Sequence, residues 1–112
     1  MVRASIAAES DGCVRRVEIR GHAGMLQSGG DPVCAAVSVL AKAYALTLTE
    51  HPEHRVTGRI DRPGEFLLEI ESIGDRGHAQ AAGRVLLNGL ESIQADQPDH
   101  AVIEIVNYTL GK

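Results

Sequence analysis

Hydrophobic and polar positions alternate in some segments of this chain and recur every three to four residues in others. Alternation is typical of strands with one buried face. The segments predicted to be strands are Val2–Ala8, Val14–Arg20, Val56–Ile60, Glu65–Glu71 and Ala101–Asn107. Turn residues at Asp11–Gly12 join the first two segments, and turn residues at Asp61–Gly64 join the next two. Each of these pairs is therefore predicted to form an antiparallel hairpin.

Two segments have helical periodicity. The first runs from Asp31 to about Glu50, and further apolar residues widen its apolar face. The residues at helical spacing are Val33, Val37, Leu40, Tyr44 and Leu48, and the widening residues are Ala36, Val39, Ala43 and Leu46. The second helix runs from near Asp75 to Ala95, where Gly83 and Gly89 either weaken it or permit tight packing. Its predicted inward residues are Ala82, Val85, Leu86, Leu90 and Ile93.

These elements follow one another in the order ββαββαβ. A chain of 112 residues suits one domain, residues 1–112, with a core that needs no disulfide or metal. Two helices that are segregated from a mostly antiparallel sheet form a two-layer sandwich. The sequence therefore predicts a single-domain α+β fold.

Composition and charge limit the possible partners. A formal charge of −4, with one Phe, two Tyr and no Trp, argues against direct binding of nucleic acid. The two cysteines, Cys13 and Cys34, are too few for a disulfide framework and have no zinc-ligand spacing, so we expect no metal and no cofactor. The N-terminal residues lack the apolar core of a signal peptide, and we expect no membrane-spanning run. We therefore expect a cytoplasmic protein with reduced thiols.

The stretch Gly21–Ser38 contains the strongest candidate chemistry. His22 ends a predicted strand, while Asp31 is a good N-cap and Pro32 suits the first helical position. Cys34 is then the third helical residue, where backbone N–H groups lack intrahelical acceptors and the helix dipole favours a thiolate. A nearby histidine can take the thiol proton and later give a proton to a leaving group. The spacing thus suggests a Cys–His dyad.

A structural interpretation of the same residues is also open. A cysteine among alanines and valines is often a small core residue, and a histidine at a strand end is often on the surface. Spacing alone does not separate these possibilities, because Cys and His signatures do not transfer between families.

A second pair of histidines, His51 and His54, has an H-x-x-H pattern. The pair straddles Pro52 and has no obvious third metal ligand. We therefore predict a solvated turn at the end of the first helix rather than a metal site.

The segments GHAG and DxVCAAVSVL, which place His22 and Cys34 twelve residues apart, closely resemble the ribosomal-processing cysteine protease family. Members are small bacterial proteins that remove a short N-terminal extension from large ribosomal subunit protein twenty-seven. The resemblance implies that Cys34 is the nucleophile and His22 the general base and acid. Gly21, Asp31 and Ser38 match the other fixed positions of the motif, which implies substrate-binding or site-supporting roles. It further implies that the protein forms a homodimer. The partner that it implies is the ribosomal protein precursor peptide, as substrate.

The chain departs from the family pattern in two places. Met25–Ser28 replaces an aromatic-then-charged segment, and Pro32 stands where an aliphatic residue is common. These departures concern substrate preference more than chemistry. The glycine-rich segment Ala23–Gly30 is expected to order over bound peptide. The alternative function is a non-catalytic ribosome-assembly or interaction module in which Cys34 is structural.

Overall fold

The structure is a computed structural model that describes residues 1–21, 32–59 and 65–108. The elements within these ranges are β1 (Val2–Ala8), β2 (Val14–Arg20), α1 (Pro32–Thr49), β3 (Arg55–Arg59), β4 (Glu65–Ser72), α2 (Arg76–Asp96) and β5 (Ala101–Asn107). This succession confirms the predicted order ββαββαβ and the α+β class. The bounds of β1, β2 and β5 agree with the predicted bounds. The turn predicted at residues 61–64 lies outside the described residues.

The strands form one sheet in the order β3-β4-β2-β1-β5. Three neighbouring pairs are antiparallel, and β1 pairs with β5 in parallel, with Val2 opposite Ala101. Because β4 and β5 run in the same direction, the chain needs a crossover to return to the sheet, and α2 provides it. The sheet is therefore mixed but mostly antiparallel, as predicted.

One face of the sheet is buried under the two helices, and the other carries charged side chains. The strands contribute a continuous apolar layer to the core, which consists of Val2, Ala4, Ile6, Ala8, Val14, Val17, Ile19, Leu68, Ile70 and Ala101. The helices contribute Val33, Val37, Ala41, Tyr44 and Leu48 from α1 and Ala79, Gly83, Leu86 and Leu90 from α2. On the opposite face, Glu18 pairs with Arg20 and Arg16 approaches Glu69. This arrangement is the predicted two-layer sandwich.

The inward helical faces are narrower than the sequence suggests. Val85 of α2 is 65% exposed, so its predicted inward orientation is wrong. Val39 and Leu46, which were predicted to widen the apolar face of α1, are 65% and 63% exposed. In α2 the buried stripe includes Leu86 and Leu90. Consecutive helical residues are about 100° apart, so Val85 points away from the sheet when Leu86 points towards it. Val39, Leu46 and Val85, which lie outside the buried faces of the two helices, are exposed apolar residues.

The two interior glycines of α2 permit tight packing, which was one of the two predicted possibilities. A Cβ at Gly83 would lie 2.5 Å from the carbonyl oxygen of Gly12 in the β1–β2 turn. A Cβ at Gly89 would lie 2.5 Å from Cδ2 of Leu40 on α1. α2 therefore approaches the hairpin and α1 at distances that no side chain would allow.

The expectation that no apolar run reaches membrane-spanning length needs correction. Helix α1 is, by its 18 residues and its composition alone, long and apolar enough to cross a membrane. Core helices pass the same test, and α1 places Val33, Val37, Tyr44 and Leu48 in the core between the helices and the sheet. α1 passes the test because it has one apolar face in the core and a second apolar face that is exposed.

Candidate active site

Cys34 is the third residue of α1, as the sequence predicts, and its side chain is half-buried. Its neighbours Val33 and Val37 are buried in the core. They hold the first turns of α1 against the sheet and so orient the cysteine. The predicted N-cap, Asp31, lies outside the described residues.

A groove of about 120 Å³ opens beside Cys34. Its walls come from the start of β1, the end of β2, the first half of α1 and the start of β4. The lining residues are Val2, Ile19, Gly21, Cys34, Val37, Ser38, Ala41, Lys42, Glu65 and Phe66. Most of these side chains are apolar, and Lys42 and Glu65 are the charged ones.

The structure brings three of the five predicted site residues together, namely Gly21, Cys34 and Ser38. Ser38 is one helical turn after Cys34 and lines the same groove, so both can face one bound peptide. The other two, His22 and Asp31, lie outside the described residues, as does the segment 23–30 that was predicted to order over peptide. The roles assigned to all five stay predictions.

Sequence reasoning missed the residues that β4 and β1 contribute to the groove. Phe66 of β4 is opposite Ile19 of β2, and Glu65 is opposite Arg20. Val2 begins β1, next to Arg3, which pairs with Arg20. Alternation identifies each strand, but only the order of strands in the sheet reveals that these ends meet beside α1.

Gly21 has a backbone conformation and a contact that require glycine. Its φ is +86°, in the region that side chains disfavour. A Cβ at this position would lie 2.6 Å from the carbonyl oxygen of Met1. Gly21 therefore lets the end of β2 pass close to the start of β1, immediately before His22.

The second cysteine is held in a different environment. Cys13 is 0% exposed, and its thiol lies 3.6 Å from Oδ2 of Asp11 and 3.8 Å from the carbonyl oxygen of Arg76. Burial and the hydrogen bond to Asp11 both raise the pKa of the Cys13 thiol. Because a nucleophile must be both deprotonated and accessible, Cys13 is poorly suited to attack a peptide.

Comparison with known protein families identifies the chain. The family model described as cysteine protease Prp matches residues 1–102. The chain belongs to the cysteine protease Prp family. Membership in the Prp family makes the protein a cysteine protease, and it decides against the alternative of a non-catalytic module.

Solved structures confirm the Prp fold. The essential ribosomal processing protease Prp from S. aureus, in complex with a covalently linked product peptide, has a TM-score of 0.81 and 22% sequence identity, over 94% of this chain and 99% of that chain. The same protease in complex with a substrate peptide has a TM-score of 0.78 and 21% sequence identity, over 94% of this chain and 99% of that chain. A protein from Streptococcus mutans has a TM-score of 0.79 and 25% sequence identity, over 96% of each chain. No curated protein matches the chain significantly.

Proposed function

We propose that this protein is an endopeptidase that removes the N-terminal extension of a large-subunit ribosomal protein precursor, protein twenty-seven, with Cys34 as nucleophile and His22 as general base and acid. The observation that carries the proposal is the position of Cys34, half-buried in the first turn of α1 at the wall of the groove. Membership in the Prp family and the similarity to the S. aureus ribosomal processing protease support it.

The proposed reaction has two steps. His22 takes the proton of the Cys34 thiol, the sulfur bonds to the scissile carbonyl carbon, and the peptide C–N bond breaks as the amine receives that proton. Water then attacks the thioester carbon and gives one proton to His22, the C–S bond breaks, and the new carboxylic acid loses its proton to solvent as a carboxylate. The proton on His22 passes to Cys34, so the starting state is restored. The positive end of the α1 dipole stabilises the thiolate and the negative charge that develops beside it.

The groove indicates which part of the substrate it would hold. Val2, Val37 and Ala41 are buried apolar residues of its walls, so an apolar side chain gains by leaving water there. A cavity of about 150 Å³ is known to take up benzene, and a groove of about 120 Å³ is only slightly smaller. We infer that one apolar side chain near the scissile bond lies in the groove. Lys42 and Glu65 would then contact polar parts of the peptide.

The test is cleavage of a synthetic precursor peptide, followed by mass spectrometry. Cys34→Ala should abolish cleavage and leave the fold intact, because alanine already occupies the next two helical positions, 35 and 36. His22→Ala should lose several orders of magnitude in rate, since both proton transfers fail. Cys13→Ala is the matched control and should keep cleavage at temperatures where it is folded. Undiminished cleavage by the Cys34→Ala protein would overturn the proposal.

We also propose that the protein acts in the cytoplasm as a homodimer. The family resemblance supports a dimer, and the exposed apolar residues Val39, Leu46 and Val85 offer a surface that a second copy could cover. Leu46→Lys should then shift the protein towards monomer in light scattering at micromolar concentration. Glu91→Lys, at an exposed position of α2 outside this surface, should not. A wild-type protein that is monomeric at micromolar concentration would contradict the dimer.

A further inference from the structure

Three histidine rings meet where the turn after α1 packs against the start of α2. The ring centroids of His51, His54 and His78 lie 4.8–5.2 Å from one another. The predicted solvated turn is wrong for His54, which is 8% exposed. His78, far away in sequence, supplies the third ring. We call these three residues the histidine cluster.

Hydrogen bonds determine which nitrogens of the cluster carry protons. The backbone N–H of Gly74 donates to Nδ1 of His54 over 3.1 Å, so this nitrogen carries no proton. The neutral His54 ring must then carry its proton on Nε2. Nε2 lies 3.0 Å from Nδ1 of His78, to which it donates. A chain of two hydrogen bonds therefore runs from Gly74 through His54 to His78.

An additional proton on His54 or on Nδ1 of His78 breaks this chain. A proton on Nδ1 of His54 would face the N–H of Gly74, and a proton on Nδ1 of His78 would face the N–H of His54. In either case two donors oppose each other, and a hydrogen bond is lost. The charged ring would also lie against the other two rings of the cluster.

The surrounding charges come from both segments that form the cluster. The turn after α1 contributes Glu53, and the start of α2 contributes Asp75, whose Oδ2 lies 3.3 Å from Nε2 of His51 in the cluster. The backbone hydrogen bond from His78 lowers the pKa of Asp75, so it remains a carboxylate. Burial, followed by the two neighbouring histidines, lowers the pKa of His54 in spite of Asp75 and Glu53.

The cluster also joins two segments that fit closely. A Cβ at Gly74 would overlap Glu53, so the loop before α2 lies directly on the turn after α1. Across residues 1–21, 32–59 and 65–108, no group of His, Cys, Asp or Glu has an arrangement that could hold a metal ion. Proton uptake is a chemistry that histidine rings offer at mildly acidic pH.

We propose that the histidine cluster is an acid-sensitive latch, which holds the turn after α1 on the start of α2 while His54 is neutral and releases it when His54 takes up a proton. The latch is separate from the proposed active site, because Cys34 lies in the first turn of α1 and His51 follows the last residue of α1, Thr49, which is about 22 Å further along at 1.5 Å per residue. Its test therefore does not depend on proteolysis.

The direction of the pH effect follows from linkage. The pKa of His54 in the folded protein is lower than its ordinary value of 6.5, so the unfolded chain binds more protons just below pH 6.5. The stabilisation is present in full above the ordinary value and is lost as the pH falls below it. Each additional proton bound by the unfolded chain raises the unfolding equilibrium constant about tenfold per pH unit.

Urea unfolding between pH 7.5 and 5.5 tests the latch. His54→Asn keeps an acceptor for Gly74 but cannot take up a proton, so its unfolding constant should rise less steeply with acid than that of the wild type. His100→Asn, which removes an exposed histidine outside the cluster, should follow the wild type. An equally steep rise in His54→Asn would overturn the proposal.

Two measurements on the wild-type protein decide the question even if His54→Asn does not fold. Nitrogen-15 spectra of the imidazoles should show His54 protonated on Nε2 at neutral pH, and a proton on Nδ1 would refute the hydrogen-bond chain. The amide of Gly74 should lose hydrogen-exchange protection below pH 6.5. The amide of Ala79 in α2, which donates to the carbonyl oxygen of the N-cap residue Asp75, should keep its protection. Parallel behaviour of the two amides would refute the latch.

Discussion

Replacing Gly21 by alanine tests the close contact between the start of β1 and the end of β2 beside the groove. Gly21 has a φ of +86°, and an added Cβ would lie 2.6 Å from the carbonyl oxygen of Met1. Gly12 is a natural control, because its φ is +96° but an added Cβ would lie no nearer than 3.5 Å to Arg84. Both substitutions strain the backbone, and only Gly21→Ala adds a steric clash.

The expected magnitudes follow from these two contributions. A left-handed backbone costs an alanine about 1–2 kcal/mol. A side chain forced into a filled space costs about 1–3 kcal/mol more. For a domain of this size, 1 kcal/mol lowers Tm by about 4 °C. Gly12→Ala should therefore lower Tm by about 4–8 °C, and Gly21→Ala by about twice as much.

Thermal unfolding of the two variants measures this difference, and cleavage of the precursor peptide measures its effect on the site. Gly21 lines the groove and precedes His22, so Gly21→Ala should also slow cleavage at a temperature where the variant is fully folded. Gly12→Ala should keep its cleavage rate under the same conditions. Equal losses of stability in the two variants would show that the Met1 carbonyl can move away, and the contact would then not define the site.

Two further predictions concern α2 and the thiols. Gly83→Ala should destabilise the protein by about 1–2 kcal/mol in urea titrations, because the clash with the Gly12 carbonyl oxygen at 2.5 Å outweighs the better helix propensity of alanine. Gly77→Ala is the control, since an added Cβ there makes only ordinary contacts, and it should be neutral or stabilising. A stabilising Gly83→Ala would contradict the packing at the hairpin. Iodoacetamide at neutral pH should label half-buried Cys34 much faster than buried Cys13, and peptide mass mapping measures the two rates. Preferential labelling of Cys13 would argue against Cys34 as the nucleophile.

Much of this protein is determined locally by its sequence. Strand alternation and helical spacing predict every element, because each pattern depends on neighbouring residues that share one face. The same holds for Cys34, which Pro32 places in the first turn of α1. The segments GHAG and DxVCAAVSVL also indicate the family through their resemblance to its motif.

Other features depend on which segments meet in space. The groove exists because the ends of β1, β2 and β4 converge beside α1, and this follows from a strand order that no local pattern specifies. Val85 is apolar and lies in an apolar pattern, but the packing of Leu86 on the sheet turns it outwards. The histidine cluster likewise forms because the start of α2 packs in space on the turn after α1, although β3 and β4 separate the two in sequence. This packing brings His54 against His78. Residue types determine the elements and the possible chemistry, whereas their arrangement in three dimensions decides which residues share a site.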